Sequence, residues 1–274
     1  MRDIRAFSNA LGAARLQIRM RSAAPHPCAI GVLCFTIPQR HTPWSNTPME
    51  TRRVLQIVQL LLGLLVVAWL FRQVRKPSGW LGKGIARAMN RSHATMTDWG
   101  LQQLKVPANA AILDVGCGGG GTVQRLAAIA PEGKVVGLDY SASSIAVSRD
   151  TNAKGIEVGR VQIEQGSVAA LPFPDQRFDI VTAVETHYYW PDLPANVAEI
   201  LRVLKPGGTF ALIAETYRGG PLRLLYGAVM PLLGAAFLSD AEHRALLAQA
   251  GFTDVSTEHR HGRNWICAIG RRPQ

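Results

Sequence analysis

Residues 112–121, ILDVGCGGGG, restrict the possible folds of this chain more than any other segment. An apolar run of strand length ends in glycines clustered around Cys117, and a helix-forming stretch begins at Thr122. Glycines at 116, 118 and 120 let the backbone turn sharply and let a ligand lie against it with no Cβ in the way. A helix behind such a loop presents unpaired N–H groups to an anion such as a carboxylate. The spacing Gly116-x-Gly118-x-x-Gly121 also satisfies the dinucleotide fingerprint, so the loop alone does not choose between adenosine-bearing cofactors. Asp139 ends the next strand-like run, KVVGLD, where a carboxylate can accept hydrogen bonds from both hydroxyls of a ribose. That feature suits either cofactor as well.

The rest of the chain after Pro107 repeats the same alternation. Strand-like runs at 111–115, 134–139, 161–165, 178–184 and 209–215 are separated by helical stretches at 122–130, 141–151 and 194–203. Apolar runs of this length between helices predict a parallel sheet covered on both faces. A further helix over 240–250, with Asp240 as N-cap and Gly251 as its stop, precedes strand candidates at 254–258 and 264–270. The expected fold is therefore α/β and doubly wound, with a mostly parallel seven-stranded sheet.

The first third of the chain reads differently. Residues 54–71, VLQIVQLLLGLLVVAWLF, contain no charge, and a helix of that length spans about 27 Å against a hydrocarbon core of ~30 Å. Trp69 lies near one end, and Arg52, Arg53, Arg72, Arg75 and Lys76 bracket the run, as expected of a transmembrane anchor. The alternative is a buried core helix. No small-residue processing site follows in RQVRKPSG, which argues against a cleaved signal peptide. Residues 1–48 carry six arginines and one acid. They read either as a targeting peptide or as an extension upstream of a start at Met49, the latter favoured, and are expected to be disordered. Residues 72–89 are expected to act as a linker that turns helical towards a domain over 90–274.

Charge placement narrows the partners. The formal net charge is +11, but residues 1–91 contribute +12 and residues 92–274 contribute −1. A protein that grips phosphates needs its cations on the binding domain; here they flank the apolar run, so no nucleic acid is expected. The four cysteines, at 28, 34, 117 and 267, form no CxxC pair. This suits a reducing compartment and gives no metal site.

Three further features separate the cofactors. Asp114 stands inside the first strand, LPFPDQRFDIVTAVE leads into the fourth, and LRVLKPGGTFALIAE passes through a Lys-Pro-Gly-Gly turn into the fifth. With AEHRALLAQAGFTDV following, residues 90–274 resemble the class I S-adenosylmethionine-dependent methyltransferases, in the small-molecule group of the ubiquinone/menaquinone and sterol methyltransferases. The resemblance implies the Rossmann-like fold of that family and S-adenosylmethionine as cofactor. It implies that Asp114, Gly116, Cys117, Gly118 and Gly120 form the loop holding the methionyl end. Asp139 would bind the ribose, with Tyr140 beside the adenine and Gly166, Ser167 and Val168 along it. Many relatives carry an acid where this chain has Ser167, whose hydroxyl can still bond the adenine amine. Glu185 matches the position facing the sulfonium and the acceptor.

Methyl transfer from a sulfonium needs positioning and water exclusion more than side-chain chemistry. A base matters only where the nucleophile loses a proton. Glu185, His187 and Tyr188, in the VETHYYW run, are the candidates for that role. Residues 221–238 are strongly apolar and interrupted by Pro231; they favour a small lipophilic acceptor over a polar one. The expectation is a single-pass membrane enzyme whose catalytic domain faces the cytoplasm, where S-adenosylmethionine is made. The rival readings are a nicotinamide-dependent oxidoreductase and a non-catalytic cofactor-binding protein.

Overall fold

The computed structural model describes residues 49–274, so the expectations for residues 1–48 lie outside the described residues. Helix α1 (Met49–Arg75) extends the uncharged run at both ends. Helices α2 (Gly79–Ser92) and α3 (Ala94–Leu101) follow, so the segment expected to be a linker is mostly helix. The alternating region contains β1 (Ala111–Val115), α4 (Gly121–Ile129), β2 (Lys134–Asp139), α5 (Ala142–Thr151), α6 (Ala153–Glu157), β3 (Val161–Gln165), β4 (Phe178–Val184), α7 (Leu193–Val203) and β5 (Leu204–Ala214). The chain closes with α8 (Arg223–Leu232), α9 (Asp240–Gln249), β6 (Thr253–His259) and β7 (Ile266–Arg271).

The sheet runs β3-β2-β1-β4-β5-β7-β6. Strands β1 to β5 pair in parallel, while β7 is antiparallel to both β5 and β6. Chain order reverses between β1 and β4, and in open α/β sheets the crevice beyond the strand ends at such a point is where ligands bind. The seven-stranded, mostly parallel architecture is the one expected.

Alternate residues of the central strands feed two separate cores. Leu113, Val136, Val181, Phe210 and Leu212 pack with α7 and α9 through Val197, Ile200 and Leu247. Ile112, Val135, Ile180 and Ile213 pack on the other face with Met96, Trp99, Val123 and Leu126 of α3 and α4. Side chains alternate across a strand, so a strand apolar at both parities must be buried on both faces.

Local chemistry sets the boundaries. Lys205 to Gly208 bulge out of register between the pairs Phe178–Leu204 and Ile180–Thr209, so β5 begins earlier than the sequence pattern suggests. Ser239, rather than Asp240, caps α9. Its hydroxyl accepts the Glu242 N–H while the Glu242 carboxylate accepts the Ser239 N–H, a reciprocal pair satisfying two otherwise orphaned donors.

Residues 54–72 of α1 contain no buried position, and Gln73 is the helix's one buried residue. The helix is long and apolar enough to cross a membrane. Its exposed side chains do not match the alternative of a core helix.

Candidate active site

The carboxyl ends of β1, β2 and β4 open onto a cavity of about 310 Å³. One wall is the turn after β1. Gly116 and Cys117 both donate their N–H groups to the Leu138 carbonyl, at 2.7 and 2.9 Å, which ties the loop to the end of β2. Gly116 has φ +75°, and a Cβ there would lie 2.1 Å from Thr186 Oγ1, so only glycine fits. Gly118 has φ +52° with nothing within 4 Å of a built Cβ. Its backbone borders open space, as a site for a closely approaching ligand requires. Asn90 of α2 braces the loop: its amide donates to the Gly119 carbonyl at 2.7 Å and accepts the Gly121 N–H at 3.3 Å.

Asp139 forms the second wall. Its Oδ2 accepts the Gly118 N–H at 2.9 Å and its Oδ1 accepts the Ser141 N–H at 2.8 Å. Burial raises its pKa, and these amides act in the opposite direction by favouring the carboxylate. Each oxygen keeps a lone pair for a further donor such as a sugar hydroxyl. Tyr140, Gly166, Ser167 and Val168 line the cavity beside it.

Asp114 is placed differently from what the resemblance implied. It lies beneath the loop rather than on the cavity wall and is 1% exposed. Thr182 Oγ1 donates to its carboxylate at 2.7 Å. Burial lifts its pKa to about 7, with the hydrogen bond from Thr182 opposing the shift and the charge of Asp139 adding to it. Gly120 likewise sits behind the cavity, packed on Ser148 and Asn152. Cys117 borders the cavity with a thiol that burial pushes well above its ordinary pKa, so it is not a thiolate nucleophile.

The run after β4 separates the three base candidates. Glu185 adopts the left-handed conformation, φ +58°, and lines the cavity. Its Oε1 accepts the Glu215 N–H and, at 3.1 Å, the Tyr188 hydroxyl. Burial raises its pKa to about 7, with the Glu215 N–H acting against that shift. The reversal at Glu185 leads into a 3-10 turn over His187–Tyr189 that turns the His187 and Tyr188 side chains inward. His187 is fully buried, its two ring nitrogens have no hydrogen-bond partner, and its ring lies 5.4 Å from that of His243. Burial and the neighbouring His243 hold its pKa well below the ordinary value. It is a neutral core residue away from the cavity, which corrects its candidacy as base. Tyr188 is also outside the cavity; its hydroxyl contacts Glu185 and the Thr216 backbone and so orients the carboxylate. Tyr189 and Trp190, further along the same run, do reach the cavity.

Residue-by-residue reading of the sequence overlooked several contributors. Val74, Arg75 and Pro77 line the cavity from the end of α1, and Met89 and Asn90 line it from α2. None belongs to a local motif, so spacing carried no signal for them. Beside the cavity-lining Glu185, His93 and Glu215 complete a group whose three ligand atoms, one from each residue, lie within 4.8 Å of one another. His93 Nε2 is 3.7 Å from Glu215 Oε2, and burial lowers the pKa of that imidazole.

Residues 112–208 match the family described as a methyltransferase domain. The ubiquinone/menaquinone biosynthesis C-methyltransferase of Geobacter sulfurreducens is 32% identical over 171 residues, covering 54% of this chain and 66% of that protein. The demethylmenaquinone methyltransferase of Staphylococcus carnosus is 31% identical over 158 residues, covering 56% of this chain and 64% of its own length. The chain thus spans just under two thirds of these curated relatives. In fold it is similar to human N-acetylserotonin methyltransferase solved in complex with S-adenosylmethionine, with a TM-score of 0.59 at 18% identity over 70% of this chain and 56% of that one.

Proposed function

Because the chain belongs to the class I S-adenosylmethionine-dependent methyltransferases, we propose that it transfers the cofactor's methyl group to a small lipophilic acceptor at a membrane surface. The nicotinamide alternative is set aside with that membership. The observation that carries the reading is the convergence on one cavity of Gly118's open backbone, the Asp139 carboxylate and Glu185. They come from the ends of three strands, and the cavity they share lies at the sheet's reversal point.

The residues present fit the cofactor. Gly116 to Gly119 would lie along its amino-acid end, Asp139 would accept the ribose hydroxyls, and Tyr140, Gly166, Ser167 and Val168 would flank the base. When bound, the cofactor supplies an activated methyl group on a cationic sulfonium. The chain's own part is to hold the acceptor in line and keep water out. Glu185, with a pKa near 7, is poised to take a proton from an acceptor hydroxyl at neutral pH. Tyr188 keeps that carboxylate in one orientation. Tyr189 and Trp190 offer flat apolar surfaces to a ring, and α8 carries exposed Leu224, Leu225 and Leu232.

The names of the relatives point to a quinone-type ring as acceptor and to carbon as the atom methylated. Helix α1 supports membrane anchoring, and the cofactor's origin supports a catalytic unit facing the cytoplasm. The test uses the full chain in phospholipid vesicles with methyl-labelled S-adenosylmethionine and demethylmenaquinone held in its hydroquinone form by dithionite, because only the reduced ring carries the hydroxyl and the electron density that attack on the methyl group needs. Label entering the quinone fraction is the expected result. Tight cofactor binding with label going only to water-soluble acceptors would overturn the lipophilic assignment. Failure to bind S-adenosylhomocysteine would overturn the cofactor assignment itself.

A further inference from the structure

The junction between the apolar helix and the catalytic unit is built as part of the cavity. Gln73 folds back across it: its Nε2 donates to Ser78 Oγ at 2.8 Å, and its Oε1 accepts the Ser78 N–H at 2.9 Å. This double bridge clamps residues 74–77 into a compact turn. The turn is then fastened to the crest after β2. The Tyr140 hydroxyl donates to the Arg75 carbonyl, and the Ser141 hydroxyl donates to the Pro77 carbonyl at 2.5 Å. The last carbonyls of a helix have no partner within it, so the Tyr140 hydroxyl satisfies a group that would otherwise be orphaned.

Two cations extend the attachment. The Lys76 ammonium lies 5.0 Å from the centre of the Tyr140 ring, and the Arg75 guanidinium lies 5.8 Å from that of Tyr189. The turn therefore reaches from the end of β2 to the segment after β4, across the crevice. A Cβ on Gly82 would sit 2.6 Å from the Pro77 carbonyl carbon, so α2 also packs directly against it. Val74, Arg75 and Pro77 face the cavity, and Arg75 is the one cation among its lining residues.

We propose that residues 73–79 form a strap that completes the cofactor site, so that the seating of α1 and retention of the cofactor are linked. The inference rests on the cofactor reading above and goes beyond it, because it makes the end of the apolar helix a binding element rather than a tether. Cofactor escape past this wall requires the strap to lift from Tyr140 and Ser141. A helix held in a bilayer fixes one end of the strap and opposes that motion. Linkage is reciprocal: a bound cofactor holds the strap down as firmly as the strap holds the cofactor. A catalytic unit cut at residue 76 would lose Gln73 to Lys76, and with them the clamp and two of the three strap residues lining the cavity.

The test is hydrogen exchange on the full chain in phosphatidylcholine–phosphatidylglycerol nanodiscs, with and without S-adenosylhomocysteine. At ten times Kd, the amides of residues 74–76, 78 and 79 should slow by about tenfold, together with those of residues 116–121. Gln73→Ala should speed S-adenosylhomocysteine dissociation by about tenfold, the worth of one or two hydrogen bonds. Protection of residues 116–121 with unchanged exchange in the strap would overturn the proposal and leave the cofactor reading standing. Protection of neither segment would overturn both.

Discussion

Asp139→Ala separates what the cofactor loop needs to fold from what it needs to bind. In the native structure the carboxylate is 7% exposed and accepts two backbone donors, Gly118 N–H at 2.9 Å and Ser141 N–H at 2.8 Å. Alanine leaves both without an acceptor. Gly118 borders the cavity, where water can replace the lost partner; Ser141 is 1% exposed, so its amide bears most of the penalty. One buried unsatisfied donor costs about 1–3 kcal/mol. For a unit of this size that corresponds to a fall of roughly 2–12 °C in the unfolding midpoint. Binding should suffer more. Two hydrogen bonds from ribose hydroxyls to a carboxylate are worth about 1.5–3 kcal/mol each, so S-adenosylhomocysteine affinity should drop at least ~100-fold. Calorimetric titration of the full chain in nanodiscs, beside tryptophan-monitored melting, reads both quantities. If the midpoint falls as stated while Kd stays within about threefold of the parent, Asp139 is a structural residue and the ribose assignment is wrong.

Other consequences follow from the same geometry. His187 is buried and neutral with its pKa held below 6.5, so the unfolded chain takes up its proton first as pH falls. Its share of stability is complete above pH 6.5 and is lost below it at about 1.4 kcal/mol per pH unit. His187→Phe should remove that slope in denaturant titrations at pH 7.5, 6.5 and 5.5; parallel pH profiles for parent and variant would show that the site is not dry. With Glu185 at a pKa of about 7, methyl transfer should rise through neutral pH. Glu185→Gln should abolish that limb in initial-rate measurements, and a parent profile already flat from pH 5.5 to 9 would exclude the base role. Gly116→Ala meets both a positive φ and a 2.1 Å approach to Thr186 Oγ1. Chemical denaturation should show a loss of about 2–4 kcal/mol. Adding Thr186→Ala removes Oγ1 and Cγ2 but keeps a Cβ 2.7 Å away, so it should recover only part of the loss, and full recovery would mean that the backbone is unstrained.

Much of this architecture was readable from local pattern. The first four strands occupy the residues their apolar patterns indicated: β1, β2 and β4 are largely buried runs, while the edge strand β3 alternates buried and exposed residues. The glycine loop and Asp139 were equally legible, since backbone freedom and a strand-end carboxylate are written in neighbouring residues. The fifth strand was read short because Lys205-Pro206-Gly207-Gly208 looks like a turn, whereas here it is a bulge carried within the strand. Ser239 and its neighbour Asp240 are equally good caps by residue type. Only the side-chain geometry distinguishes the two.

What the sequence determined alone is what depends on short range: the strand–helix alternation, the loop that admits only glycine, the uncharged span of α1 and the concentration of positive charge around it. The tertiary structure decided the roles of residues whose surroundings come from elsewhere in the chain. Glu185, His187 and Tyr188 are near neighbours in sequence, yet one lines the cavity, one is sealed in the core and one braces the first. A single left-handed residue followed by a 3-10 turn sends their side chains in different directions. In the same way, nothing local marks Gln73, Arg75 or Pro77 as part of a site. They become so because β2 ends beneath them, 65 residues later along the chain, and a hydroxyl there reaches a carbonyl that the helix itself could not satisfy.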